Sequence, residues 1–221
     1  MNTANTYATG RLGDYAPRTL RERNPVLLIH GISDTTAVFQ RMSPYLSGLG
    51  WSVHSFNMIP NNGNLGLDKL AEQVADYVAK TFDPEQPLDI IGFSMGGIVS
   101  RYYIQRLGGI ERVQRFISIS APNNGTLAGY LSWRPGCVQM RTDSEFLRDL
   151  NRDAAMLGRL NFTVIWTPYD LMIVPPTSSQ MSMGKELIVP VRLHSWMLTD
   201  ERILKAVAGA LSEPIKATAI P

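Results

Sequence analysis

Short apolar runs alternate with amphipathic segments along this chain of 221 residues, from about residue 25 onwards. Six runs have the length and composition of buried strands, and the segments between them carry apolar residues at helical spacing. Alternation of this kind is typical of a parallel sheet with helices on both faces. The predicted strands cover residues 25–30, 51–58, 88–93, 113–120, 162–166 and 186–191.

Helices are predicted between these strands, over residues 36–49, 66–82, 94–107, 144–160 and 200–211. Pro44 lies inside the first helix, which we therefore expect to be kinked or split. The connection over residues 121–141 contains Gly and Pro and is predicted to be irregular. Residues 1–24 are polar and predict an N-terminal arm, which leaves residues 25–221 as one domain.

A serine flanked by glycines stands where the third apolar run meets a helical segment. The residues there read Gly92-Phe93-Ser94-Met95-Gly96, the Gly-x-Ser-x-Gly pattern of a strand, a sharp turn and a helix. Small residues around the turn allow the strand and the helix to approach closely. The unpaired N–H groups at the start of the helix would face the hydroxyl. We interpret Ser94 as a nucleophile, against the alternative of an ordinary turn with a solvated serine.

A serine nucleophile needs a base in contact with it and a third group that orients the base. His194 follows the last predicted strand and is the expected base, whereas His30 and His54 are interpreted as structural. Asp170 is the only acid in the loop after the fifth strand and is the expected third member. The order Ser94, Asp170, His194 is the order of an α/β-hydrolase triad.

Two backbone N–H groups are expected to hold the negative charge that develops when an ester carbonyl is attacked. One belongs to Met95, which follows the nucleophile. The other belongs to Ile32, in the loop after the first strand. Both donors belong to the backbone, so their side chains are free to shape the pocket.

Taken together, these features resemble the α/β-hydrolases, and more narrowly the small bacterial lipases and esterases of that fold. The resemblance rests on Leu28–Ile32, the Gly92–Gly97 turn, the segment Ser120–Thr126, Asp170 and His194. It implies an α/β-hydrolase fold with a six-stranded, mostly parallel sheet and hydrolysis of carboxylic esters through an acyl-enzyme. The chain has little sequence for a large lid, so we expect a minimal lid or none.

The expected activity is that of a serine lipase or esterase on small-molecule or lipid esters. An acyltransferase or a thioesterase with the same triad remains open, because the sequence does not separate water from another acyl acceptor. An alternative from another class is a catalytically silent binding protein of the same fold. Such proteins usually lack a triad residue, and all three are present here.

Apolar side chains on the active-site side of the predicted sheet are candidates for an acyl groove. Burial of each methylene contributes about 0.8 kcal/mol, so a short groove would already favour lipid-like acids. The alternative is that these side chains only cap the core. The candidate substrate-binding residues are Tyr130, Leu131, Trp133, Val138, Met140, Leu171 and Met172.

Composition and charge limit the kinds of binding partner that we expect for this protein. The formal net charge is +2 and no strongly basic run is present, so nucleic acid is not an expected partner. Three histidines and the single Cys137, interpreted as a structural thiol, fit no metal-ligand spacing, and we expect neither a metal nor a cofactor.

Targeting signals are also sparse in this sequence. The N-terminus lacks the apolar segment of a signal peptide, which favours a cytoplasmic location, although a removed leader would leave no trace. No run approaches the roughly 20 apolar residues of a transmembrane helix, which leaves only transient contact with a lipid interface. The oligomeric state is not readable from the sequence.

Overall fold

Six parallel strands form one sheet in the computed structural model, which describes residues 23–216. The strand order is β2-β1-β3-β4-β5-β6, and every neighbouring pair is parallel. The number of strands is confirmed. The strands are β1 (Val26–Ile29), β2 (Val53–Ser55), β3 (Leu88–Phe93), β4 (Val113–Ile119), β5 (Asn161–Trp166) and β6 (Lys185–Ile188).

Within residues 23–216, six α-helices accompany the sheet, and apolar side chains form a core on each of its faces. Leu70 of the second helix and Ile98 of the third pack in one core, and Leu46 of the first and Val207 of the sixth pack in the other. No helix within residues 23–216 is both long and apolar enough to cross a membrane. The helices are α1 (Met42–Gly48), α2 (Leu67–Thr81), α3 (Met95–Arg106), α4 (Pro135–Gln139), α5 (Glu145–Arg152) and α6 (Glu201–Ser212).

The segments with proline depart from the predicted elements. The helix predicted over residues 36–49 is split into a 3₁₀ turn, Thr36–Phe39, and α1. Pro44 is the third residue of α1, where its missing N–H costs no intrahelical hydrogen bond. The connection predicted to be irregular contains the helix α4, which begins at Pro135, a residue preorganised for the first helical position.

The helix predicted over residues 144–160 is also divided, into α5 and a 3₁₀ segment, Ala154–Arg159. Most of the predicted arm, residues 1–22, lies outside the described residues. The division into an arm and one domain stays a prediction.

The carboxyl ends of the parallel strands meet at one edge of the sheet. The loops that start at His30 after β1, at Ser94 after β3 and at Thr167 after β5 therefore leave from the same side. In open parallel sheets this edge is where ligands bind. The candidate residues of the three loops can meet there.

Candidate active site

Ser94 lies at the apex of a strained turn between β3 and α3. Its backbone has φ 53° and ψ −126°, in a region that side-chain-bearing residues rarely adopt. A Cβ on Gly92 would lie 2.6 Å from the Cα of Gly97, and one on Gly96 would lie 2.6 Å from the carbonyl oxygen of His30. Such contacts exclude any side chain at Gly92 and Gly96. The turn therefore has the sharp geometry that the sequence pattern predicts.

The imidazole of His194 is held by the carboxylate of Asp170. Nδ1 of His194 lies 2.7 Å from Oδ2 of Asp170, a distance typical of a charge-assisted hydrogen bond. Asp170 accepts through Oδ2, so Nδ1 of His194 carries the proton in the neutral ring and Nε2 is the available base. The structure thus brings together two of the three residues expected to form the triad.

Asp170 is a buried carboxylate, only 2% exposed, and its charge is compensated locally. Its Oδ1 accepts hydrogen bonds from the backbone N–H groups of Met172, at 2.9 Å, and Ile173, at 3.0 Å. Burial raises the pKa of Asp170, but the hydrogen bond and charge of His194 and the two backbone donors outweigh it and lower the pKa. Asp170 is therefore an anion at neutral pH and can stabilise a positive charge on His194.

The His194 ring packs beside the residue that precedes Ser94. Its centroid lies 4.8 Å from that of Phe93, the residue before Ser94. Within residues 23–216 the structure has no hydrogen bond between the Ser94 hydroxyl and His194. Hydrogen bonds between a nucleophile and its base are often long until substrate binds. The three residues share one edge of the sheet, and the assignment of Ser94, Asp170 and His194 as a triad is a proposal that we argue below.

Hydrogen bonds of the Thr126 hydroxyl connect the Asp170 loop to the segment after β4. The hydroxyl donates to the carbonyl oxygen of Met172 at 2.8 Å and accepts from the N–H groups of Val174 at 3.0 Å and Ala128 at 3.2 Å. Thr126 is buried, so these three contacts satisfy the hydroxyl completely. Sequence reasoning placed this threonine in the segment Ser120–Thr126 but did not predict that it supports the acid.

The two N–H groups expected to hold the oxyanion face no protein acceptor. Within the described part of the chain, neither the N–H of Ile32 nor that of Met95 donates to a carbonyl outside the regular elements. Met95 is the first residue of α3, where an N–H group has no intrahelical partner. Both groups are therefore available to a ligand, and their role as an oxyanion hole stays a prediction.

The other two histidines have structural contacts, as predicted. Nε2 of His30 accepts the N–H of Met58 at 3.1 Å, so its Nδ1 carries the proton and donates to the carbonyl oxygen of Gly31 at 2.9 Å. Burial lowers the pKa of His30 and keeps it neutral. His54 pairs with the Ser52 hydroxyl at 2.9 Å. The His30 ring therefore has no nitrogen left for chemistry at Ser94, and His54 lies within the edge strand β2 against the ring of Phe82.

The residues expected to form an acyl groove divide into exposed and buried groups. Leu131, Trp133 and Leu171 are 89%, 84% and 80% exposed, an unusual degree for large apolar side chains. Tyr130 and Met172 are also exposed, Val138 is half-buried, and Met140 packs in the core with residues of α2 and α3. The exposed members form an apolar surface beside the active-site loops, and Met140 is a core residue.

Arg141 holds the exposed aromatic residues of this surface in place. Its guanidinium lies 4.9 Å from the ring centre of Tyr130 and 4.5 Å from that of Trp133. It also donates to the carbonyl oxygens of Gly129, at 3.2 Å, and Ser132, at 3.1 Å. These contacts order a loop whose apolar side chains would otherwise have few partners.

A cavity of about 850 Å³ lies against the Asp170 loop. Leu171 and Val174 line it from that loop, and Arg192 lines it from the segment after β6. Its walls are mainly apolar, and neither Ser94 nor His194 is among its lining residues.

One carboxylate near Ser94 was not predicted from the sequence. Asp34 lies in the loop after β1, and its Oδ2 is 2.7 Å from the position that a Cβ on Gly31 would occupy. Burial raises the pKa of Asp34, and the nearby His30 and His194 oppose that rise only in part. The only signal in the sequence was its place four residues after His30, at the carboxyl end of a predicted strand.

The fold is the α/β-hydrolase fold. The structure matches Aspergillus fumigatus lipase B with a TM-score of 0.68 and 19% identity, over 87% of this chain and 53% of that chain. It matches the mature form of Bacillus licheniformis lipase BlEst2 with a TM-score of 0.69 and 12% identity, over 91% of this chain and 97% of that chain. The predicted fold and the resemblance to bacterial lipases and esterases are confirmed.

Within that fold, the chain belongs to the palmitoyl protein thioesterase family, whose sequence model matches residues 25–142. The matched part contains Ile32 and the turn at Ser94, and Asp170 and His194 follow it.

Curated relatives include the "probable oxidoreductase EphD" proteins of Mycobacterium tuberculosis and Mycobacterium bovis. They are 26% identical in an alignment 149 positions long, which covers 58% of this chain and 24% of theirs. The chain therefore spans about a quarter of the length of these relatives.

Proposed function

We propose that this protein is a serine hydrolase that cleaves carboxylic esters of lipid-like acids through an acyl-enzyme. The observation that carries the proposal is the hydrogen-bonded pair Asp170–His194 beside the strained turn at Ser94. A buried carboxylate on Nδ1 leaves Nε2 of the imidazole as a base for a nearby hydroxyl. The lipase structures that share the fold, and the family itself, are consistent with ester or thioester chemistry.

The proposed reaction has two stages. In the first, Nε2 of His194 removes the Ser94 proton as Oγ attacks the carbonyl carbon, and the N–H groups of Ile32 and Met95 bind the oxyanion. His194 then protonates the leaving alcohol, and Ser94 remains acylated. In the second stage His194 removes a proton from water as the water oxygen attacks the acyl carbon. His194 then returns that proton to Oγ of Ser94 as the bond between Oγ and the acyl carbon breaks and the carboxylic acid leaves.

The apolar surroundings favour an acid with a hydrocarbon chain. Leu131, Trp133 and Leu171 are exposed beside the active-site loops, and the cavity next to Asp170 has mainly apolar walls. Burial of the substrate chain against such surfaces contributes about 0.8 kcal/mol for each methylene. We expect the rate to rise with chain length over a series of p-nitrophenyl esters.

The test is active-site labelling together with that series. A fluorophosphonate probe should label the folded wild-type protein and leave Ser94→Ala unlabelled. Hydrolysis that peaks at two to four carbons would indicate an esterase, and a peak at eight or more would indicate a lipase. A folded wild-type protein that takes up no probe and hydrolyses no ester would refute the proposal and favour a binding protein.

A thioesterase is the second candidate, and membership of the palmitoyl protein thioesterase family favours it. The same acyl-enzyme would form, with a thiol as the leaving group in place of an alcohol. Matched oxygen esters and thioesters of one fatty acid would separate the two candidates by their kcat/KM. An added alcohol that captures the acyl group in preference to water would instead indicate an acyltransferase.

A further inference from the structure

The carboxylate of Asp34 lies at the nucleophile, and the proposed mechanism does not use it. The N–H of Asp34 returns to the carbonyl oxygen of Gly31 at 3.4 Å, and Ser33 between them has φ 58°. This tight turn directs the Asp34 side chain back over Gly31. The turn therefore places a carboxylate in the same loop as the predicted oxyanion donor Ile32.

Gly31 is a neighbour of both Asp34 and Ser94, and its position sets an upper limit on the distance between their side chains. A Cβ built on Gly31 would lie 2.7 Å from Oδ2 of Asp34 and 3.1 Å from the Cβ of Ser94. The sum of these two distances means that Oδ2 and the Ser94 Cβ are at most 5.8 Å apart. The carboxylate is therefore close enough to Ser94 to interact with a charge that lies a few bonds from an acyl group on its Oγ.

The Asp34 carboxylate contacts the Gly31 backbone, but it caps no helical turn. The neighbouring Thr35 supplies the cap of the next turn, through its hydroxyl and the N–H of Ala37 at 3.3 Å. Asn61 binds the backbone carbonyl of Asp34 and not its carboxylate. Within residues 23–216, no Lys or Arg forms an ion pair with Asp34, which is half-buried.

The ionisable groups that face Asp34 are His30, at the end of β1, and His194. Burial raises the pKa of Asp34, while the charges of these histidines and the Gly31 backbone lower it without cancelling the rise. Burial lowers the pKa of His30, and the Met58 N–H donates to its Nε2, which requires the neutral ring. A half-buried carboxylate without a fixed cation attracts positive charge on a ligand.

We propose that Asp34 is a specificity-determining residue, whose carboxylate selects esters or thioesters that carry a positive charge within a few bonds of the scissile carbonyl. This inference rests on the proposed hydrolase function. It adds a charge preference to a site whose other walls are apolar. Substrates with a carboxylate at the same place should be disfavoured by repulsion from Asp34.

The test uses two esters of the same acid that differ by one charge. A choline ester and a 3,3-dimethylbutyl ester have the same shape, and only the former is a cation. Their common acyl chain is the one that the p-nitrophenyl series selects. We expect wild-type kcat/KM to be about tenfold higher for the choline ester, as one close charge pair in a half-buried site would produce.

Variants at Asp34 should change the ratio of kcat/KM for the choline ester to kcat/KM for the 3,3-dimethylbutyl ester. The neutral ester serves as the reference, because its kcat/KM should change little. Asp34→Asn should bring the ratio close to one, and Asp34→Glu should keep part of the preference. Asp76→Asn is the matched control, because it removes a carboxylate from the exposed side of α2. It should retain the wild-type ratio.

The pH dependence of the ratio provides a readout that does not require a variant. The preference of wild type should decline as the pH falls and Asp34 is protonated, because the neutral carboxyl no longer attracts the cation. A pH effect on the chemical step itself is common to both esters and cancels in the ratio. In Asp34→Asn the ratio should not vary with pH.

The outcomes separate this inference from the proposed function. Hydrolysis of both esters by wild type with a ratio near one, or a preference that Asp34→Asn keeps within twofold, would overturn the inference alone. A wild-type protein that neither hydrolyses the esters nor takes up the fluorophosphonate would overturn both proposals.

Discussion

Oδ2 of Asp170 lies 2.7 Å from Nδ1 of His194, although the two residues are 24 positions apart in the chain. Asp170 belongs to the loop after β5, and His194 begins the turn after β6. These strands are parallel neighbours, so the loops that follow them leave the same edge of the sheet. The acid and the base are therefore brought together by two adjacent loops, and the position of each loop controls the chemistry proposed at Ser94.

Replacement of Ser94 by Ala should abolish ester hydrolysis without loss of the fold. We expect kcat to fall by roughly 10⁵–10⁶-fold, because the hydroxyl that forms the acyl-enzyme is gone. Turnover and thermal unfolding would be measured together. Ser47→Ala, on the exposed side of α1, is the matched control and should keep wild-type turnover. A loss of less than tenfold for Ser94→Ala would exclude this nucleophile.

Thr126 is predicted to act on catalysis by positioning Asp170. Thr126→Val keeps the shape of the side chain but leaves the carbonyl of Met172 and the N–H of Val174 without the hydroxyl. We expect kcat to fall about tenfold or more with a smaller change in KM, because the acid is displaced from His194. Thr126→Ser restores the hydroxyl and should recover most of kcat. Equal losses in both variants would show that the methyl group, and not the hydroxyl, matters.

The lowered pKa of Asp170 links stability to pH. The folded protein holds a proton on Asp170 less tightly than the unfolded chain, in which the pKa is near 3.8. The stabilisation is therefore complete above that value and is lost as the pH falls through the lowered pKa. At neutral pH we expect Asp170→Asn to reduce the free energy of unfolding by roughly 1–3 kcal/mol.

Urea unfolding at pH 7 and at pH 3 would check this prediction. The difference between wild type and Asp170→Asn should be smaller at the acidic pH. Asp76→Asn, which removes an exposed carboxylate of α2, serves as the control and should differ little from wild type at pH 7. A difference that stays constant with pH would mean that Asp170 does not stabilise the fold through its charge.

The close approach at the nucleophile turn predicts opposite effects for two Gly→Ala changes. A Cβ on Gly96 would lie 2.6 Å from the carbonyl oxygen of His30. Both atoms are attached directly to the main chain, so neither can move away without displacing the backbone. Gly96→Ala should reduce the free energy of unfolding by about 1–3 kcal/mol or prevent folding.

Gly209→Ala is the matched change in an open position. Gly209 lies within α6, and nothing is within 4 Å of a Cβ placed there. The added methyl should stabilise the helix by up to about 1 kcal/mol. Thermal or urea unfolding of both variants would measure the contrast. Similar effects for the two changes would contradict the packing described for the turn.

Strand positions were predictable where apolar runs are buried on both faces. The prediction for β3, residues 88–93, matches the structure at both ends. The prediction for β2, residues 51–58, was too long, because this edge strand pairs only over Val53–Ser55. The strand predicted over residues 186–191 ends at Ile188, two residues before Pro190, which has no N–H to donate.

Candidate catalytic residues were predictable because each follows a strand and because their order in the chain matches the fold. The roles of Thr126 and Asp34 were not predictable in this way. Thr126 contacts Met172, 46 positions away, and Asp34 reaches Gly31 through a turn that requires φ 58° at Ser33. Neither contact leaves a periodic or compositional signal.

The sequence by itself determined the alternation of strands and helices, the glycines of the nucleophile turn and the identity of the three candidate residues. These follow from local apolar periodicity and from the small size of glycine, which act over a few residues. Only the tertiary structure decided which loops meet at the sheet edge, how Asp170 is held and that Asp34 faces Ser94. Those contacts depend on the order β3-β4-β5-β6 and on the direction of each turn, and such long-range geometry is established only when the chain packs.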